Sequence, residues 1–272
     1  MDNRPIGIFD SGIGGLTVLK EISAILPNEN IIYFGDCGRA PYGTKSRETI
    51  IRYVVQDTEF LLDQDIKMIV VACNTASAYG IEEIRAKAGY VPVLDVISPG
   101  AKFASAMTQN NKVGVIGTIA TINSGVYERS INGENENIKV FSKACPLFVP
   151  IAEEGWWDSD VATITAKIYL QCMADNEIDT MLLGCTHYPL LEGTINKVLG
   201  DSVCIINSAR EVAGVVKERL FKDGIENDNL GKPNYRFFTS DSVDKFKELG
   251  ELFLNTKMEC VYKADIELYG KL

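Results

Sequence analysis

Two cysteines, Cys73 and Cys185, close matching motifs. Each ends a short apolar run and precedes small polar residues: Val70-Val71-Ala72-Cys73-Asn74-Thr75 and Leu182-Leu183-Gly184-Cys185-Thr186-His187. A residue between a strand and the following helix sits where open α/β sheets bind ligands. Helix N-termini lower a thiol pKa from its ordinary value of about 8.5 and offer free N–H groups to anions. Two such thiols on opposite sides of one carbon could remove a proton from one face and return it to the other. The remaining cysteines, Cys37, Cys145, Cys172, Cys204 and Cys260, read as small buried hydrophobes. Seven is an odd number and no Cys-x-x-Cys pair occurs, which argues against a disulfide framework and a zinc knuckle. Reduced thiols are expected.

His187 is the sole histidine of the chain. Two residues beyond a strand-end cysteine, and expected to open a helix, it can poise a proton for that thiol. A Cys-His hydrolase would use the same pair, but it would not need Cys73. Asp10, in Asp10-Ser11-Gly12-Ile13-Gly14-Gly15, follows the first strand and precedes a helix starting near Leu16. The turn lacks the third glycine of a dinucleotide fingerprint and the Lys-Ser or Lys-Thr of a phosphate loop. Asp10 could pair with an ammonium or accept a proton relayed from Cys73. Glu153, just after the stretch Pro146 to Pro150, is placed either to orient His187 or to sit in solvent. The turn-rich link from Gly35 to Gly43, with Pro41 and Tyr42, has the character of a loop that lines a site.

The elements that must position these groups follow from apolar runs at Ile6 to Phe9, Ile31 to Phe34, Met68 to Ala72, Val93 to Val96, Val113 to Gly117, Met181 to Gly184 and Val203 to Ile206. Each reads as a buried strand. Between them, Ile51, Val55 and Leu62 share one helical face, as do Val161, Ile164, Thr165, Ile168 and Cys172. The class is α/β with mainly parallel sheets. Gly7-Ile8-Phe9-Asp10-Ser11 also resembles Gly114-Val115-Ile116-Gly117-Thr118. Each half therefore carries one strand ending in Asp-Ser or Gly-Thr and a later strand ending in Cys. Two similar domains related by pseudo-symmetry, with a cleft between them, are expected. Pro99-Gly100 reads as the crossover and Asn207-Ser208 as the return. The first domain then comprises 1–97 plus 208–272, and the second 98–207.

The formal net charge of −10 is spread along the chain, and no stretch interleaves basic and aromatic residues, so nucleic acid is not the expected primary partner. The N-terminus lacks signal-peptide character, and runs such as Met68 to Cys73 are too short to cross a bilayer. A cytoplasmic protein is expected, with no membrane association.

With these motifs in hand, the chain resembles the glutamate racemases of the Asp/Glu racemase superfamily. The resemblance runs through Asp10-Ser11-Gly12-Ile13-Gly14-Gly15-Leu16-Thr17, Pro41-Tyr42-Gly43, Ala72-Cys73-Asn74-Thr75-Ala76 and Gly184-Cys185-Thr186-His187-Tyr188-Pro189-Leu190. It implies cofactor-independent 1,1-proton transfer at the α-carbon of glutamate, supplying D-glutamate for bacterial peptidoglycan, and it implies a homodimer. It further implies that Cys73, assisted by Asp10, and Cys185, assisted by His187 and Glu153, are the catalytic pair. Substrate contacts would come from Asp10, Ser11, Pro41, Tyr42, Gly43, Asn74, Thr75, Thr118, Thr121, Thr186 and His187. No metal is implied. Aspartate-acting relatives usually carry an acidic residue where this chain has His187, which favours glutamate. The alternatives are an aspartate or other amino-acid racemase, a Cys-His amidohydrolase or lyase on the same fold, and a non-catalytic protein that binds an acidic metabolite.

Overall fold

A computed structural model describes residues 1–228 and 231–270. Positions 229, 230, 271 and 272, which fall in the expected first domain, lie outside the described residues.

Among the described residues, ten parallel strands form two sheets. β1 (Ile6–Asp10), β2 (Ile31–Gly35), β3 (Met68–Val71) and β4 (Val93–Asp95) belong to the first, with β9 (Tyr235–Thr239) and β10 (Val261–Lys263) returning to it from the C-terminal part of the chain. β5 (Lys112–Gly117), β6 (Lys139–Ala144), β7 (Thr180–Gly184) and β8 (Cys204–Asn207) form the second. The orders are β10-β9-β2-β1-β3-β4 and β6-β5-β7-β8. Without the two returning strands, both sheets run second, first, third, fourth, so the duplication read from the motifs extends to strand order. The protein is thus two α/β domains of the same design.

Helices cover both faces of each sheet, which is why the central strands are nearly all apolar. β1, β2, β3 and β7 are buried along their whole length. Two separate apolar cores sandwich the first sheet and two more the second. The register aligns the site. Phe9 pairs with Val71, which sets Asp10-Ser11 beside Ala72-Cys73. Gly117 pairs with Gly184, which sets Thr118 beside Cys185.

The structure corrects several expectations. β6, β9 and β10 were not expected. β6 is the edge strand Lys-Val-Phe-Ser-Lys-Ala, half-exposed throughout, so it never needed an apolar run. Pro99-Gly100 is not a turn but lies in the first turn of the helix Ile97–Met107, where proline costs no helical hydrogen bond. In the helix Asp160–Asp175 the face of Val161, Ile164 and Ile168 points to solvent, and Ala162, Ala166, Leu170 and Met173 are buried instead. The helix Arg47–Leu62 buries Ile50, Val54 and Leu61 fully and leaves the face of Ile51, Val55 and Leu62 half-buried. Of the five cysteines taken as buried, only Cys145 is; Cys37 and Cys204 are half-buried, and Cys172 and Cys260 are exposed. No helix among the described residues is long and apolar enough to cross a membrane.

Candidate active site

The strand ends of both sheets meet in one narrow cavity of about 40 Å³. Ser11, Pro41, Tyr42, Gly43, Cys73, Asn74, Thr75, Thr118, Cys185, Thr186 and His187 line it, together with Val149. Of the residues singled out from sequence, Asp10, Thr121 and Glu153 stand behind this lining rather than in it.

On the first domain, Cys73 precedes the helix Asn74–Ala88 and caps it through sulfur, Sγ accepting from the Ala76 N–H at 3.4 Å. The thiol donates to Ser11 Oγ at 3.5 Å. A helix start alone predicts a lowered thiol pKa, and here the sign is reversed. Burial, then the charge of Asp10, push the Cys73 thiol up to about 12, outweighing the donors at Ala76 and Ser11. At neutral pH Cys73 therefore rests as a protonated acid.

Asp10 is fully buried, so desolvation raises its carboxyl above the ordinary range, against the opposing charge of His187 and the Gly12 N–H. Its oxygens accept from Gly12 N–H at 3.0 Å and from Thr186 Oγ1 at 3.4 Å. Asp10 thus reaches across the cleft to the second cysteine motif while acting on the first through charge.

On the second domain, His187 stands between two partners. Nδ1 lies 3.9 Å from Cys185 Sγ, and Nε2 lies 3.1 Å from Glu153 Oε1. Burial disfavours the imidazolium, but the hydrogen bonds to Cys185 and Glu153 prevail and raise the pKa to about 10. The bond from His187 in turn holds the Glu153 carboxyl below its usual range. These two partners favour the imidazolium form of His187, with Nδ1 aimed at sulfur. It does not open an α-helix as expected: it precedes a 3₁₀ turn, Tyr188–Leu191. Phe253, returning from the C-terminal helix, packs its ring edge-to-face on the imidazole, with centroids 5.9 Å apart.

Small residues let the domains close. A Cβ on Gly14 would lie 2.4 Å from Thr186 Oγ1 and 2.5 Å from His187 Nδ1. A Cβ on Gly43 would lie 2.7 Å from Thr118 Cβ. Thr17 Oγ1 donates to the Thr186 carbonyl at 2.9 Å, a clamp between domains that the sequence reading missed. Thr75, Thr118 and Thr121 join hydroxyls across the cleft, Thr75 Oγ1 lying 3.2 Å from Thr121 Oγ1.

Tyr42 faces the site differently from what a substrate-binding phenol would. Its hydroxyl is turned away, donating within a buried cluster to Asp36 and lying 2.9 Å from Asp57 Oδ2. Arg39 bridges the same two carboxylates at 2.6 and 2.8 Å. What residues 41–43 offer to a ligand is backbone and ring. Neither Asp57 nor Val149 carried a signal in the sequence, since a lone aspartate in a helix and a valine between prolines have many ordinary explanations.

Two repeats of one α/β design, each bringing a cysteine from its third strand to a shared cavity, define a class of amino-acid racemase architecture. The chain belongs to the Asp/Glu/hydantoin racemase family, whose sequence pattern matches residues 6–214. It is 47% identical over 264 residues to the glutamate racemase of Geobacter metallireducens, covering 97% of each chain. It is also 47% identical over 266 residues to that of Chlorobaculum parvum, covering 98% of this chain and 96% of the other. Among solved structures, the glutamate racemase of Francisella tularensis in complex with D-glutamate superposes with a TM-score of 0.93 at 43% identity, over 99% of this chain and 100% of that one.

Proposed function

We propose that the protein interconverts L- and D-glutamate by moving the α-proton between Cys73 and Cys185, and so supplies D-glutamate for peptidoglycan. The observation that carries this reading is the convergence of both thiols on one cavity from equivalent strand ends of repeated domains. The bound D-glutamate of the Francisella tularensis relative supports the substrate.

The thiolate on one face takes the α-proton and becomes a thiol. The thiol on the other face gives its proton to the planar carbanion and becomes a thiolate. Atoms and charge balance, and the enzyme is left poised for the reverse direction. His187, held by Glu153, supplies or withdraws a proton at Cys185. At Cys73 the main obstacles to a thiolate are burial and the charge of Asp10. A substrate ammonium in the cavity offsets the second, which lowers the cost of the thiolate when the amino acid is bound. The α-proton is weakly acidic, and one base typically contributes only about 10² to 10⁴ in rate. Oriented donors must stabilise the carbanion as well. Ser11, Asn74, Thr75, Thr118, Thr121 and Thr186, with the backbone of Pro41, Tyr42 and Gly43, are assigned to binding the two carboxylates and the ammonium.

The same proposal includes domain limits at 1–97 with 208–272 and at 98–207, a cytosolic location, a homodimer, and function without a cofactor. The test is incubation of the purified protein with each glutamate enantiomer in D₂O, following deuterium incorporation and optical rotation together, with aspartate in parallel. Exchange at Cα with loss of rotation is expected from wild type, and Cys73→Ala or Cys185→Ala should abolish racemisation. Near-normal racemisation by either variant removes the two-thiol scheme. An irreversible product would indicate an amidohydrolase or lyase, and binding without exchange a non-catalytic protein.

A further inference from the structure

Tyr127 was not among the residues drawn from the sequence and does not line the cavity, yet it touches both cysteine segments. It lies near the start of the helix Val126–Glu134, which Gly125 enters in the left-handed region at φ +66°. Its phenol is fully buried, and burial raises its pKa further above the ordinary tyrosine value, keeping it a neutral hydroxyl. On the first domain, the amide of Asn74, next to Cys73, donates from Nδ2 to Tyr127 Oη at 2.7 Å. On the second, the ring covers Gly184, next to Cys185: a Cβ there would lie 2.9 Å from Tyr127 Cε2.

With Nδ2 bonded to Tyr127, the oxygen is the free end of the amide. Asn74 is 2% exposed and lines the cavity. Its Oδ1 has no hydrogen-bond partner among the described residues. Leaving a buried amide oxygen unpaired is costly, and with Nδ2 engaged this oxygen is what Asn74 presents to a ligand. An acceptor without a proton suits an ammonium and repels a carboxylate.

We infer that Tyr127 is a positioning residue: through its hydrogen bond to Nδ2 it holds the Asn74 amide oxygen as an acceptor for the α-ammonium of the substrate. The inference rests on the amino-acid reading of the site and adds to it the group that sets its polarity. It separates two ligands that differ only at Cα. Glutamate carries the ammonium, whereas glutarate keeps both carboxylates and lacks it.

The experiment is Tyr127→Phe in the full-length protein, which keeps the ring over Gly184 and removes the oxygen. KM for both glutamate enantiomers should rise about tenfold, with kcat within about twofold, while inhibition by glutarate is unchanged. Adding Tyr127→Phe to Asn74→Ala should cost nothing more, since the two residues act through one bond. If Tyr127→Phe does not fold, Asn74→Leu replaces the amide at similar size and must show the same split between glutamate and glutarate. An unchanged KM, equal weakening of both ligands, or additive losses in the double variant would overturn the inference. Wild type that fails to racemise glutamate removes the amino-acid reading itself, whereas active wild type with an indifferent Tyr127→Phe removes only the role of Tyr127.

Discussion

Thr75 Oγ1, on the helix that follows the first cysteine, lies 2.9 Å from Thr118 Oγ1, which caps the helix after β5 in the other domain. Hydroxyls at that distance exchange a hydrogen bond. In the proposed scheme the same hydroxyls bind the substrate, and the closed cleft keeps these polar groups paired with each other.

Closure depends on absent side chains as much as on hydrogen bonds. Gly14→Ala would drive a methyl group against Thr186 Oγ1 and His187 Nδ1 at 2.4 and 2.5 Å. Displacing a catalytic group by about 1 Å can cost about 100-fold in rate. We therefore expect kcat/KM for glutamate to fall by about 100-fold or more, measured by circular dichroism of the racemisation. Retention of more than a tenth of wild-type activity would show that this contact does not set the site.

In the proposed scheme His187 serves the Cys185 face. L- and D-glutamate have equal free energy, so any variant must lower kcat/KM equally in both directions, and asymmetry is visible only elsewhere. His187→Asn should lower kcat more in the direction in which Cys185 abstracts the α-proton. The primary deuterium isotope effect should rise in that direction. Equal changes in kcat and isotope effect both ways would remove the assignment to one face.

The His187–Glu153 pair also links stability to pH. The folded-state pKa of His187 is raised from its ordinary 6.5 to about 10. A raised pKa contributes stability that is fully present below the unfolded value and is lost as pH rises through the folded one. Glu153→Gln removes one cause of the rise. Its Tm should fall below wild type at pH 7, and the gap should close as pH passes about 10. A gap that stays constant from pH 7 to 11 would mean that the imidazolium is not its source.

The helix Asp160–Asp175 gives a stability contrast. Leu170 is 1% exposed within the core of the second domain, while Ile168 is 71% exposed. Leu170→Ala should cost about 2–5 kcal/mol, whereas Ile168→Ala should stay within about 0.5 kcal/mol. Urea denaturation of both variants measures this. Equal losses would restore the face that the sequence pattern suggested.

Much of the candidate cavity's lining was legible because its residues lie in local motifs. A cysteine closing an apolar run, repeated in each half, can be read from one chain, as can a solitary histidine two residues on. The α/β class follows for the same reason, since strands buried on both faces must be apolar. Edge strand β6 and the returning β9 and β10 were not legible. An edge need not be apolar, and membership in a sheet is decided by long-range pairing. The solvent-facing stripe of Val161, Ile164 and Ile168 shows that helical periodicity marks a face without saying what covers it.

Tertiary structure alone decided the electrostatics. The sequence places Cys73 at a helix start, which lowers a thiol pKa. Only the fold buries that sulfur beside Asp10, and desolvation with a like charge reverses the sign. It also placed Tyr127 between Asn74 and Gly184 and turned the Tyr42 hydroxyl away from the cavity. The sequence by itself determined which groups are candidates to move a proton. Which of them rests protonated, and which amide atom faces the cleft, depends on distances between segments far apart in the chain, because charge and hydrogen bonding act through space.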